Sequence, residues 1–360
     1  MALLSSANNM LVVRLFLATL LVTTVESLQS QTLSCNRREA LLGLGTLVAP
    51  TSPSSAFAAP VSTAVIPAWR LEGGVDFPRL ALNTAGLTMD ETERAFRNAL
   101  EAGINHVEFH PGVERDGIAR VLRNDKNINR NSLFLTTKVE TNWENNPSPT
   151  TAADYVRKQL DRDLSVLGTD YVDMLMLRES PDCAVVQTMW KEMEREKEEG
   201  RVRSLGVVNY CEGALKCLLS TAVRKEKPSV NYIQLHVGMG PTSAARAFGE
   251  SHGIRTFAYG HLGERARPPD DTDLILGNPT LRRIALDHSK TVEDVALRWV
   301  LQSGAAASIR PTAEFILGRG VCTDPRCNEG LKASSQAFRW QLTYAEMKEI
   351  DALTSPNSNP

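Results

Sequence analysis

From Leu80 onward, short apolar runs alternate with longer stretches whose apolar residues recur at helical spacing. The runs are Leu80–Leu82, Ile104–Phe109, Leu133–Thr137, Tyr171–Leu177, Ser204–Val208, Tyr232–Leu235, Ile254–Ala258 and Phe315–Leu317. Near-continuous apolar runs of this length suit strands covered on both faces, as in a parallel sheet. Between them the spacing predicts helices over Asp90–Ala102, Thr151–Leu167, Val185–Glu199, Glu212–Val223, Ser243–Ser251, Thr280–His288 and Val292–Gln302, with Tyr344–Leu353 trailing. The first three run into Gly103, Gly168 and Gly200, the residue type that most readily ends a helix in left-handed backbone. Strands alternating with helices in this number and length predict a closed (β/α)8 barrel in one domain. A doubly wound open sheet is the alternative. It would open with a glycine-rich turn after the first strand, where this chain has Asn83-Thr84-Ala85-Gly86. Gly263–Pro279, with Pro268-Pro269-Asp270-Asp271, reads as a long polar loop that either covers the barrel mouth or lies on the surface.

Residues 1–60 differ in kind. Met10–Val25 is apolar with Arg14 near its start, a signal-peptide core rather short for a membrane span. A second pattern follows: Arg37-Arg38 before the apolar Ala40–Val48, then Ala56-Phe57-Ala58 as a small-x-small cleavage site. The two patterns together resemble a twin-arginine export signal within a layered plastid leader. The expected address is therefore a plastid (chloroplast), with the thylakoid lumen as one destination. The alternative is one signal peptide and a linker, giving a secreted or endomembrane protein. Residues 1–60 are accordingly set apart as a targeting leader, 61–77 as a lead-in, and 78–355 as the barrel.

A net charge of −2 and 42% hydrophobic residues give neither a nucleic-acid patch nor an acidic tail, and no membrane role in the mature form. The six cysteines (35, 183, 211, 217, 322, 327) have no zinc spacing, so no metal is expected. Cys322 and Cys327 are near enough in sequence for a disulfide in an oxidising compartment. Ordinary reduced thiols are the expectation.

Chemistry gathers at Leu133–Glu140, LFLTTKVE, where a buried run ends on Lys138. A lysine at the carboxyl end of a barrel strand belongs either to a polar site or to solvent. The blocks EAGINHVEF, LFLTTKVE, LGTDYVDMLML, EEGRVRSLGVVNY, GIRTFAYGHLG and ALRWVLQ occur in series between Pro78 and Leu353. Together they resemble the aldo/keto reductases, NADP(H)-dependent (β/α)8 barrels that act on carbonyl compounds.

The resemblance implies a tetrad at the barrel mouth: a proton-donating tyrosine, a lysine, an aspartate paired with the lysine, and a histidine. Carried over by position, the lysine is Lys138 and the aspartate becomes Glu108. The tyrosine falls on Val113 and the histidine on Arg178. Valine has no proton to give, and arginine holds its own at any ordinary pH. Carbonyl reduction by the usual acid is therefore expected to be absent or very slow. His110 lies two residues beyond Glu108, on the same face by strand alternation, and either substitutes as the acid or merely caps the strand. Tyr210, Tyr259 and His261 also follow strand ends.

On the cofactor side the resemblance places Asn209 at the nicotinamide carboxamide after Val208, Tyr259 under the ring with Leu262 in the same block, and Thr84 near the nicotinamide. Tyr232 stands where the family has a glutamine. Arg319 and Arg326 are assigned to the 2′-phosphate, or are plain surface arginines. Two functions are thus expected to compete: an NADP(H)-dependent oxidoreductase of altered chemistry, and a catalytically inactive barrel binding NADP(H), a small anion or a protein partner.

Overall fold

The structure, a computed structural model, describes residues 66–140, 147–220, 225–240, 243–263, 271–310 and 325–354. The leader, Arg319 and Phe315–Leu317 lie outside these residues, as do the side chains of Arg326 and Cys327.

Eight parallel strands close into a barrel. They are β3 (Leu80–Asn83), β4 (His106–Glu108), β5 (Phe134–Val139), β6 (Val172–Arg178), β7 (Val202–Val208), β8 (Val230–Gln234), β9 (Arg255–Tyr259) and β10 (Ala306–Ile309), with β10 pairing both β9 and β3. Closure rules out the open sheet. The helices that position the site are α1 (Met89–Glu101), α2 (Val113–Asn124), α3 (Ala152–Leu167), α4 (Cys183–Glu198) and α5 (Glu212–Leu219).

Each strand divides its side chains by alternation. Outward residues such as Leu82, Val107, Leu135, Leu175 and Val207 join the helices in one large apolar cluster. Inward residues Ala81, Phe134, Met174, Met176, Val230, Tyr232, Phe257 and Ala306 form a second, smaller one. Gly206 belongs to this inner packing. A Cβ there would meet Val230 Cγ2 at 2.9 Å, Met176 Cγ at 3.1 Å and Met174 Sδ at 3.3 Å, so these three side chains fill the space that its missing side chain leaves.

Below the barrel lies a feature absent from the strand pattern. The lead-in contains an antiparallel hairpin, β1 (Ala68–Arg70) and β2 (Asp76–Pro78), turned by Gly73 and Gly74 at φ 84° and 78°. Its Phe77 is fully buried, with its ring centroid 4.9 Å from that of His106, 5.2 Å from Phe134 and 5.1 Å from Phe257. The hairpin plugs the amino-terminal end of the barrel with an aromatic cluster.

Four expectations change. The eighth strand is Ala306–Ile309 rather than Phe315–Leu317; its alanines score weakly as a strand, yet their small side chains pack fully buried in the closed barrel. Helix α2 has no counterpart among the predicted elements, because Gly117 interrupts its pattern. A Cβ on Gly117 would meet Met89 O and Thr92 Cβ, both at 2.6 Å, so the glycine is what lets α1 and α2 approach. The segment read as a polar loop holds a helical turn at Thr272–Gly277, and Pro325–Ser335 is also helical. Finally, the cysteines are not all reduced. Cys183 and Cys217 form a disulfide between α4 and α5, and Cys211 is disulfide-bonded as well. Residues 34 positions apart in sequence gave no hint of that proximity.

Candidate active site

At the carboxyl ends of the strands the inward positions become polar, and β4 and β5 bring the first pair together. Lys138 Nζ donates to Glu108 Oε2, with both side chains buried. The other oxygen, Glu108 Oε1, accepts from the Tyr232 hydroxyl at 2.5 Å and from Ser308 Oγ at 3.0 Å. Asn83 Nδ2 in turn donates to the Tyr232 oxygen at 3.1 Å. Burial alone would raise the Glu108 pKa. The Lys138 and His110 charges and the Lys138 and Tyr232 hydrogen bonds outweigh it and hold the carboxyl below its usual value. Tyr232 is driven the other way, well above the ordinary phenol value, by burial and by the adjacent carboxylate. Its hydroxyl is thus a fixed donor to Glu108 and lies against that carboxylate instead of the Lys138 nitrogen, which sits 5.3 Å from the ring centroid.

His110 comes from the turn between β4 and α2. Its Nε2 lies 3.2 Å from Lys138 Nζ and 3.7 Å from Glu140 Oε1. Its Nδ1 lies 3.0 Å from Glu114 Oε2, and its backbone N–H donates to the same oxygen at 2.9 Å. About a quarter of the side chain, 25%, faces solvent. The exit of β5 is clamped from α3: Gln159 Nε2 donates to Lys138 O, Gln159 Oε1 accepts from Glu140 N at 3.0 Å, and the Tyr155 hydroxyl donates to Glu140 O at 2.5 Å. Behind the strand, Asp163 accepts from Thr137 Oγ1 at 2.9 Å and from Arg115 Nη1 at 3.0 Å, tying α2, β5 and α3 together. These clamps set the height at which Lys138 and His110 meet.

The other predicted residues divide. Arg178 ends β6 but turns to carboxylates, with Nη1 3.4 Å from Glu140 Oε2 and Nε 3.7 Å from Glu179 Oε2. Burial raises the Glu179 pKa against the pull of Arg178. Val113 opens α2 and is 59% exposed, with no polar group to contribute. Thr84 is buried, its hydroxyl 3.1 Å from Glu108 O and 3.0 Å from Glu114 Oε2, so it belongs to the carboxylate network.

Asn209 and Tyr259 do meet at the mouth: Asn209 Oδ1 accepts from the Tyr259 hydroxyl at 2.8 Å, and Asn209 Nδ2 donates to Glu179 Oε1 at 3.5 Å. Asn209 takes the left-handed region at φ 59°, which asparagine tolerates better than most residues. Leu262 is buried beyond β9, and Arg310 follows β10 directly. Sequence reasoning missed Asn83, Glu114, Glu140, Ser308 and Arg310. Alternation along β3 and β10 would have found Asn83 and Ser308; the correct placement of β10 would have found Arg310.

Among the described residues, Lys138 pairs with Glu108, Arg178 lies near Glu140 and Glu179, and Glu114 meets His110. The arrangement sets an imidazole beside an ammonium at the mouth, with a quarter of the imidazole side chain open to solvent.

Residues 78–355 match the model of the Aldo/keto reductase family. Aldo-keto reductase ML1669 of Mycobacterium leprae is 31% identical over 250 residues, spanning 68% of this chain and 81% of that protein. The 2,5-diketo-D-gluconic acid reductase B of a Corynebacterium species is 30% identical over 243 residues, spanning 67% and 81%. Among solved structures, an aldo/keto reductase from Brucella melitensis superposes with a TM-score of 0.65 at 26% identity, covering 80% of this chain and 99% of that one.

Proposed function

The chain belongs to the aldo/keto reductase family, and on that premise we propose that it is an NADP(H)-dependent oxidoreductase for uncharged carbonyl compounds in which His110 gives the proton. The observation that carries this reading is the 3.2 Å approach of His110 Nε2 to Lys138 Nζ, at the mouth of a barrel whose tyrosine position is Val113. The bound nucleotide would supply the hydride to the carbonyl carbon. His110, protonated at Nε2, delivers its proton to the carbonyl oxygen and is left as neutral imidazole, so hydride and proton together complete the alcohol. Lys138 donates to the same oxygen and stabilises the charge that develops there. Three carboxylates, Glu108, Glu114 and Glu140, offset the positive charge of Lys138 and of protonated His110. Solvent recharges the imidazole through its exposed quarter.

The residues at the mouth fit the nucleotide. The Tyr259 ring offers a face for the nicotinamide, Asn209 offers an amide for its carboxamide, and Arg310 stands at the exit of β10 where a phosphate would be held. One observation favours a second reading, an inactive barrel whose ligand is not held through Asn209: that amide already bonds to Tyr259 and Glu179.

Titration with NADPH, followed by intrinsic fluorescence, is expected to saturate; no change at millimolar nucleotide would remove both oxidoreductase and NADP(H)-binding readings. With an aldehyde panel, NADPH absorbance should fall slowly. His110→Ala should lower kcat by ~10²–10⁴, the usual worth of general acid catalysis, and Val113→Tyr with Arg178→His should outpace the parent. Fast turnover that survives His110→Ala would place the acid elsewhere.

The plastid address belongs with these proposals. The Cys183–Cys217 disulfide suits an oxidising compartment. Peptide mass mapping of the natural N-terminus tests it: a start near Ala59 supports luminal processing, and a start near residues 30–36 opposes it.

A further inference from the structure

We infer that Glu114 is the positioning residue of the proton donor, fixing both the orientation and the tautomer of His110. This rests on the reading of His110 as the acid, and deepens it. Glu114 is the second residue of α2, yet its side chain is only 9% exposed and turns back into the barrel mouth. Four donors converge on it. Gly86 N–H reaches Oε1 at 2.8 Å, while the Thr84 hydroxyl at 3.0 Å, His110 N–H at 2.9 Å and His110 Nδ1 at 3.0 Å all meet Oε2. Those donors come from the exits of β3 and β4, so a single carboxylate joins two strand ends to the start of a helix. The first turn of a helix also favours a negative charge there.

The consequence for the imidazole follows from which atoms can donate. An ionised carboxylate only accepts, so His110 Nδ1 must carry a proton whenever it bonds to Glu114. In the neutral ring Nε2 is then bare, and it accepts from the Lys138 ammonium at 3.2 Å. In the charged ring Nε2 carries the transferable proton. Every proton that His110 gains or loses is therefore at Nε2, the atom beside Lys138. Without Glu114 the ring loses its Nδ1 partner and can flip or change tautomer, which puts the mobile proton on the wrong side in some of its states. The backbone bond from His110 N–H to the same oxygen restrains the loop as well as the ring, which is how a carboxylate orients a base in other catalytic constellations.

The test is nitrogen-15 NMR of the histidine side chains in the full-length folded protein, without nucleotide. The parent should show His110 with a protonated Nδ1 and an unprotonated Nε2 in its neutral form. Glu114→Leu should give a mixture of tautomers or the reverse one, and Glu114→Asp should restore the parent pattern in part. His106, whose Nδ1 donates to Pro78 O at 3.0 Å and whose Nε2 accepts from Thr136 Oγ1 at 2.9 Å, reports in the same spectra whether the barrel is intact. Should Glu114→Leu fail to fold, Glu114→Gln replaces it; loss of one acceptor oxygen should still broaden the tautomer distribution. In turnover, Glu114→Gln should lower kcat by about 10-fold to 100-fold while the carbonyl KM stays within about threefold. An unchanged His110 tautomer in Glu114→Leu, or in Glu114→Gln where the leucine variant does not fold, would overturn the inference, even if the parent reduces carbonyls. A shifted tautomer in a parent that reduces nothing would uphold the positioning role and refute His110 as the acid.

Discussion

Strand β4 carries two ionisable side chains into the barrel, His106 and Glu108, and places His110 just beyond its end. The lower part of the barrel and its mouth treat them in opposite ways. His106 sits among the rings of Phe77, Phe134 and Phe257. Burial drives its pKa down to about 4 against the pull of the Pro78 carbonyl and Glu108, so it is a neutral core residue that happens to be a histidine. Two residues on, Glu108 is equally buried but meets an ammonium and two hydroxyls, and stays charged. His110 keeps solvent on one side and a carboxylate on the other. What sets the two histidines apart is the company of their rings: two neutral partners and apolar walls below, a carboxylate and an ammonium above.

The strongest way to break this contrast is to remove the charge that the mouth is built around. Glu108→Leu would leave Lys138 buried without its partner and should cost about 3–5 kcal/mol, read from urea unfolding. A loss below about 1 kcal/mol would mean that the ammonium is not held by this pair.

The next effect belongs to the lower end. The His106 pKa is depressed on folding, from the ordinary 6.5 of a histidine to about 4. Stability from its neutral burial is therefore complete above pH 6.5 and falls as the pH drops toward 4, by at most about 3 kcal/mol. Glu108 and Glu114 are also depressed, but from 4.5, so their share is lost only at lower pH. Unfolding at pH 7 and pH 5 should show a drop that His106→Gln removes; equal stability at both would contradict the neutral core histidine.

Tyr232→Phe sharpens the comparison further. It takes one donor from Glu108 while keeping the ring, and should cost about 1–2 kcal/mol. Arg178→Ala should be the mildest. Its ion pairs are long, 3.4 Å and 3.7 Å, and a third exposed, so the loss should stay below about 1 kcal/mol, measurable as a small shift in the urea midpoint.

The apolar runs of β3 to β9 and the glycine stops after three helices were enough to read a (β/α)8 barrel, because alternating short buried runs and amphipathic helices have few other ways to cover a parallel sheet. Lys138, Glu108 and His110 were legible for the same local reason: each ends or follows a strand, and alternation assigns the face. Where the chain broke its own rules, the reading failed. Helix α2 contains a glycine demanded by a neighbouring helix, and β10 opens on two alanines, small residues that fit the closed barrel but mark a strand poorly.

Pairings between distant positions belong to the folded molecule. Tyr232 and Ser308 reach Glu108 across 124 and 200 residues, and Cys183 finds Cys217 on the next helix. Periodicity reports which way a residue faces along its own strand, but it carries no information about what stands opposite. Which carboxylate an ammonium meets, and which atom of an imidazole holds its proton, depend on ångström distances that arise only when the barrel closes.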